Sequence, residues 1–167
     1  MSVAARNVTG MTAAFIARQE ALGSRFDAIA AAEREIAAAC ARRAALVDEA
    51  RRFSETTAAS RAVPGGRWPA ETVAQREFVS ELALTLRFPQ RTAENLIEDS
   101  RALAEELPAT RTALQTGEIS YRHAQVLIGQ AWRVPQAAKA AFEAALLRSA
   151  GHLTACTPRT CASPPRR

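Results

Sequence analysis

The sequence predicts an all-α protein in which a long N-terminal helix is followed by a bundle of short helices containing a helix-turn-helix-like hairpin. Three observations carry that expectation. Of the 167 residues 48% are hydrophobic but only 5% aromatic, and much of the apolar share is alanine, which favours helix and buries little surface. Apolar residues recur at helical spacing along most of the chain. Prolines and glycines fall where one such run gives way to the next. At 18.0 kDa the chain has material for one ordinary domain, or for a small core carrying a long appendage, but not for two full domains.

The first element, within residues 1–60, is a long amphipathic helix running from Met11 to about Phe53. Phe15, Leu22, Ile29 and Ile36 recur every seven positions, and Phe26, Cys40 and Val47 form a second set spaced by seven or fourteen. A seam this narrow suits pairing with another helix, so these four residues are the candidate dimerisation surface; a helix folded back on its own domain would show the same pattern. Glu33 and Arg43 interrupt the seam. The segment "SRAVPGGRWPAE" then places a Pro/Gly hinge over 61–69, with Pro69 suited to the first turn of the next helix.

Helical patterns follow over Pro69 to Leu86, Pro89 to Leu107, Pro108 to Thr116, Tyr121 to Trp132, and Pro135 to Ala150, the last expected to close at Gly151. Together these make a bundle over 70–150. The end, "HLTACTPRTCASPPRR", loses periodicity and is expected to stay disordered over 151–167.

Net charge is +5, with 22 basic residues against 17 acidic, and Lys139 is the sole lysine. That balance permits an acidic partner, nucleic acid included, without requiring one. The chain shows no signal-peptide run and no apolar stretch of membrane-spanning length, so a cytoplasmic protein without membrane contact is expected. The cysteines imply no disulfide framework.

The stretch "VSELALTLRFPQRTAENLIED" fits a helix-turn-helix hairpin: Leu82 and Leu86 line the first helix, Ala83 supplies the small crossing position, Phe88 plugs the turn, and Ala93, Leu96 and Ile97 form the inner face of the second. Arg87 stands where such turns usually have Gly, and Pro89 as first helical residue leaves Phe88 a poor N-cap. At the start of the second helix Gln90, Arg91, Thr92 and Asn95 are candidate DNA contacts, before the helix turns acidic at Glu94, Glu98 and Asp99.

In "LQTGEISYRHAQVLI", Gly117 ends one helix, Ile119 points inward and Ser120 caps the next. Tyr121, Ala124, Leu127, Ile128 and Ala131 share one face of that helix; Arg122, His123, Gln130 and Arg133 share the other, a basic face suited to phosphate or to plain solvation. His123 has no orienting carboxylate or metal-ligand company in the sequence, and His152, Cys156 and Cys161 match no common zinc module. No catalytic residue, metal or cofactor is therefore expected.

The residues "RTAENLI", "LPATRTALQTGEIS" and "HAQVL", within a likeness spanning roughly Ile36 to Leu147, resemble the bacterial domain of unknown function 222. That family is a helical module that commonly precedes a His-Asn-His (HNH) endonuclease domain in one polypeptide. A shorter run, "G-x-I-S-x-x-H-A", resembles the helix-turn-helix core of chromosome- and plasmid-partition proteins and supports the hairpin only. The resemblance implies a non-enzymatic, truncated N-terminal module, since the chain ends before any HNH unit. Two functions compete at this stage: double-stranded DNA binding through the two polar faces, or a protein-interaction module that homodimerises through the N-terminal helix.

Overall fold

The computed structural model describes residues 3–61 and 67–155, with side chains placed over 13–60 and 67–148. Six helices appear, α1 (Val3–Thr56), α2 (Ala70–Leu86), α3 (Gln90–Glu105), α4 (Pro108–Thr116), α5 (Tyr121–Ala131) and α6 (Lys139–Ala155), with 3₁₀ turns at Ala58–Arg61 and Gln136–Ala138. Among the described residues there is no strand, so the chain is all-α.

The two halves of α1 have different surroundings. From residue 37 onward Ala37, Ala41, Ala44 and Val47 are buried against α3 and α4, and alanine at three of these positions lets the helices approach closely. From residue 13 to 36 no side chain is buried, and only Leu22 and Ala31 are half-covered. A 54-residue helix is about 80 Å long, so its N-terminal half runs on past the bundle.

The core gathers Leu103 of α3, Leu107, Leu114 of α4, Ile119, and Ala124 and Ile128 of α5 against the alanines of α1, with Phe142 and Leu147 of α6 packed on its rim. α2 packs on α3 and on the 3₁₀ turn after α1; α5 and α6 cover α4.

Local sequence explains most boundaries. α2 ends with Arg87 in the left-handed region (φ 55), its N–H donating to Leu84 O at 3.2 Å while Phe88 N–H donates to Ala83 O at 2.9 Å. The turn imposes the conformation a glycine would adopt more cheaply, at a cost to arginine of about 1 kcal/mol. Gly117 (φ 76) closes α4, and a Cβ there would lie 2.7 Å from Arg34 Cβ of α1, so both conformation and space exclude a side chain.

Several sequence-based boundaries are corrected. Pro89 is itself the N-cap of α3 (φ −58, ψ 145), not its first helical residue, because its fixed φ suits an extended cap; Phe88 stays in the turn. Pro69 likewise precedes α2 as its N-cap. α6 begins at Lys139, after the 3₁₀ turn, and continues through Gly151 to Ala155. A lone glycine does not stop a helix when the next residues can continue it. Pro64, Gly65 and Gly66 of the expected hinge, and the tail from residue 156, lie outside the described residues.

Candidate functional site

Three surfaces collect the residues that the sequence singled out. The first is the free half of α1. Phe15, Phe26, Ile29 and Ile36 are 61, 63, 58 and 54% exposed; Ile16, 50% exposed, lies about 100° around the helix from Phe15 and off their face. Leu22 is half-buried. Solvent-facing bulky residues at helical spacing form a stripe that a lone helix in water leaves unpaid. The second seam set divides: Phe26 is exposed, Cys40 half-buried, Val47 buried in the bundle.

The second surface is the hairpin. Ala83, Ala93 and Leu96 are buried, with Leu82, Leu86, Phe88 and Ile97 half-buried beside them, so the predicted inner faces meet. Gln90, Arg91, Thr92 and Asn95 are exposed at the start of α3. Gln90 Nε2 donates to Ser80 Oγ at 3.2 Å, and Arg91 pairs with Glu94 at 3.2 Å. Further along, Arg101 pairs with Glu105 at 3.0 Å and Glu98 stays exposed. Carboxylates beside Arg91 and Arg101 oppose a phosphate's approach. Beside the hairpin runs an open groove of about 1410 Å³, floored by Phe78, Val79, Ile97, Leu107 and Ile128 and edged by Trp132. Of the arginines on its walls, Arg51 is held by three carboxylates and Arg76 stacks on Trp68 at 4.7 Å.

The third surface is the outer face of α5, where Arg122, His123, Gln130 and Arg133 are all exposed, around Val126 and Gly129. The helix forms here because Ser120 Oγ accepts the His123 N–H at 3.3 Å, and the same hydroxyl lies 2.9 Å from His123 Nδ1. The inner face of α5 carries Ala124, Ile128 and Ala131 into the core as predicted. Arg122 and Arg133 stand about 16 Å apart along the helix. Gln90 and Arg91 line the same groove as Trp132, at the far end of α5 from Arg122 and His123, so the polar residues of α3 and α5 do not converge on one point.

A polar junction between α3 and α5 was missed by sequence reasoning. Tyr121 Oη donates to Asp99 Oδ2 at 3.0 Å, Gln125 Nε2 donates to the same oxygen at 3.1 Å, and the Arg43 guanidinium lies 5.5 Å from the Tyr121 ring centre. Burial first, then the negative charge of Asp99, pushes the Tyr121 hydroxyl well above the ordinary tyrosine range. The only sequence signal was the i, i+4 spacing of Tyr121 and Gln125 on one helix face.

The basic excess is unevenly spread along the chain. Arg6, Arg61, Arg159, Arg166 and Arg167 lie outside the residues whose side chains are described, and the remaining 17 basic residues equal the 17 acidic ones. Residues 13–60 and 67–148 thus carry no net formal charge.

The chain matches no protein-family model, no curated protein and no solved structure.

Among the described residues, no three His, Cys, Asp or Glu side chains are grouped to hold a metal ion, and no helix is long and apolar enough to cross a membrane.

Proposed function

We propose that the protein is a non-catalytic helical module that assembles with a second copy of itself through the free half of α1. One observation carries the proposal: Phe15, Phe26, Ile29 and Ile36 stay more than half exposed on a helix that runs beyond its own bundle. Leaving such a stripe in water forfeits roughly 1.5–3 kcal/mol per bulky side chain that a partner helix would recover. The resemblance to the domain of unknown function 222 agrees with a non-enzymatic module, one that in longer chains would bring appended domains together.

The expected result is a dimer in sedimentation velocity at micromolar concentration, shifted to monomer by Leu22→Asp with Ile29→Asp while the helical circular dichroism signal persists. A wild-type chain that remains monomeric up to high concentration overturns the proposal.

Contact with double-stranded DNA is the second function considered, and the acid-free outer face of α5 favours it. Fluorescence anisotropy on mixed-sequence duplexes is then expected to show weak binding whose salt slope drops by about one logarithmic unit with each of Arg122→Ala and Arg133→Ala. Arg91→Ala would in addition relax any sequence preference, if Arg91 and Asn95 reach bases. The carboxylates along α3 weigh against it, and we rank it second to self-association. Absence of binding at low salt removes it.

A further inference from the structure

We propose that the two copies pair antiparallel, with the N-terminal end of each α1 lying beside the α4–α5 corner of its partner. The inference rests on the self-association proposed above and assigns its direction.

At 3.6 residues per turn, Phe15, Leu22, Phe26 and Ile29 fall within one sector of α1, about 80° wide, that also contains Ala37, Ala44, Val47 and Arg51. The free stripe and the face buried against α3 and α4 are therefore one continuous face of the same helix. Its C-terminal half is covered from within the chain, and its N-terminal half is open. The cover begins at Ala37, one turn after Arg34, whose Cβ leaves the Gly117 corner no room even for a methyl group.

That shoulder decides the direction. In a parallel pair the bundles would stand at the same level, each on the stripe side of its own α1 and therefore each facing the other helix. Paired helices lie only about 8–10 Å apart, while every added helical layer needs about 10 Å, so two bundles cannot share the gap. Sliding one parallel copy until the bundles clear each other also slides the stripes out of contact. An antiparallel pair sets the bundles at opposite ends and lets each stripe find the other, leaving only the first turns of α1, from Val3, level with the partner's covered segment that starts at Ala37.

The stripe from Phe15 to Ile29 is centred on Leu22, which places the two-fold axis near that residue and Phe15 level with Ile29 of the second copy. Pairing over residues 13–31 about that axis gives about 28 Å of overlap. Two such stripes remove on the order of 1,000 Å² from water, near the lower bound for a specific interface, as suits a reversible dimer.

The test uses the full chain with Cys40, Cys156 and Cys161 replaced by alanine or serine, and a nitroxide on a single cysteine introduced by Arg42→Cys, an exposed position. Dipolar spectroscopy is expected to give a separation of about 60 Å between labels in the antiparallel dimer, against less than about 25 Å in a parallel one. Oxidising a mixture of Phe15→Cys and Ile29→Cys chains in the same background should favour the mixed disulfide dimer. A dimer by sedimentation with a short label distance, or with Phe15→Cys linking only to itself, overturns the direction and leaves self-association standing. A monomer by sedimentation overturns both.

Discussion

Glu143→Ala is expected to destabilise the fold by about 2–4 kcal/mol, lowering Tm by roughly 5–15 °C in thermal denaturation. The reason lies at the start of α4. Pro108 occupies the first turn and Leu107, the N-cap, has no side-chain acceptor, so the orphan N–H groups of this helix depend on something distant. Glu143 of α6 supplies it: Oε1 accepts both the Thr110 N–H at 2.8 Å and the Thr110 hydroxyl at 2.7 Å. Thr110 is fully buried and Glu143 nearly so, and water cannot replace the lost acceptor. The carboxylate also stands at the positive end of the α4 dipole. Glu143→Gln keeps an acceptor without the charge and should cost less, about 1 kcal/mol. Equal losses in the two variants would show that the amide fails to reach Thr110, and a loss under 0.5 kcal/mol in Glu143→Ala would show that the cap contributes nothing.

The second large effect is expected at Arg51. Its guanidinium donates to Asp48 at 2.6 and 3.0 Å, to both oxygens of Glu55 at 2.8 and 2.9 Å, and to Glu105 of α3 at 2.7 Å. It thereby fastens α1 to α3 at a position where Asp48 is buried. Removing one partner of a buried cluster strands the others, at about 3–5 kcal/mol; Arg52, 2.9 Å from Asp48, compensates in part, so Arg51→Ala should cost about 2–3 kcal/mol in urea denaturation. Arg51→Lys should not restore it, because one ammonium cannot reach three carboxylates in the plane a guanidinium spans.

The cluster also sets an acid dependence. Hydrogen bonds from Arg101 and then Arg51 hold the Glu105 carboxyl below the usual carboxylate range. A depressed folded-state value contributes stability that is complete above the unfolded value, near pH 4–5, and is lost as pH falls through the folded one. Stability should therefore decline below about pH 4, and less steeply in Arg51→Ala. An unchanged acid slope in that variant would sever Glu105 from the cluster.

Much of this fold was legible because helix boundaries are written in local chemistry. Gly117, Ser120 and Pro108 each act within one turn of themselves, and the sequence placed α4 and the start of α5 where they occur. The inner faces of the hairpin followed from spacing alone. What the sequence could not reveal depends on residues far apart in the chain: Glu143 capping a helix 33 residues upstream, Arg51 reaching Glu105, Tyr121 meeting Asp99. The α1 seam shows both cases. Its repeat marked an apolar face correctly, but periodicity cannot say where along a helix the bundle stops covering that face.

The spread of charge along the chain has a consequence for handling as well as for partners. Residues 13–60 carry seven basic and seven acidic side chains and residues 67–148 ten of each, so the excess behind the isoelectric point near 10.0 comes from Arg6, Arg61 and three arginines after residue 158. Trimming both ends would bring the remainder close to its isoelectric condition at neutral pH. Mutual repulsion between assembled pairs would then be slight, a circumstance in which proteins readily come out of solution. Removal of the terminal arginines is therefore expected to lower solubility near neutral pH.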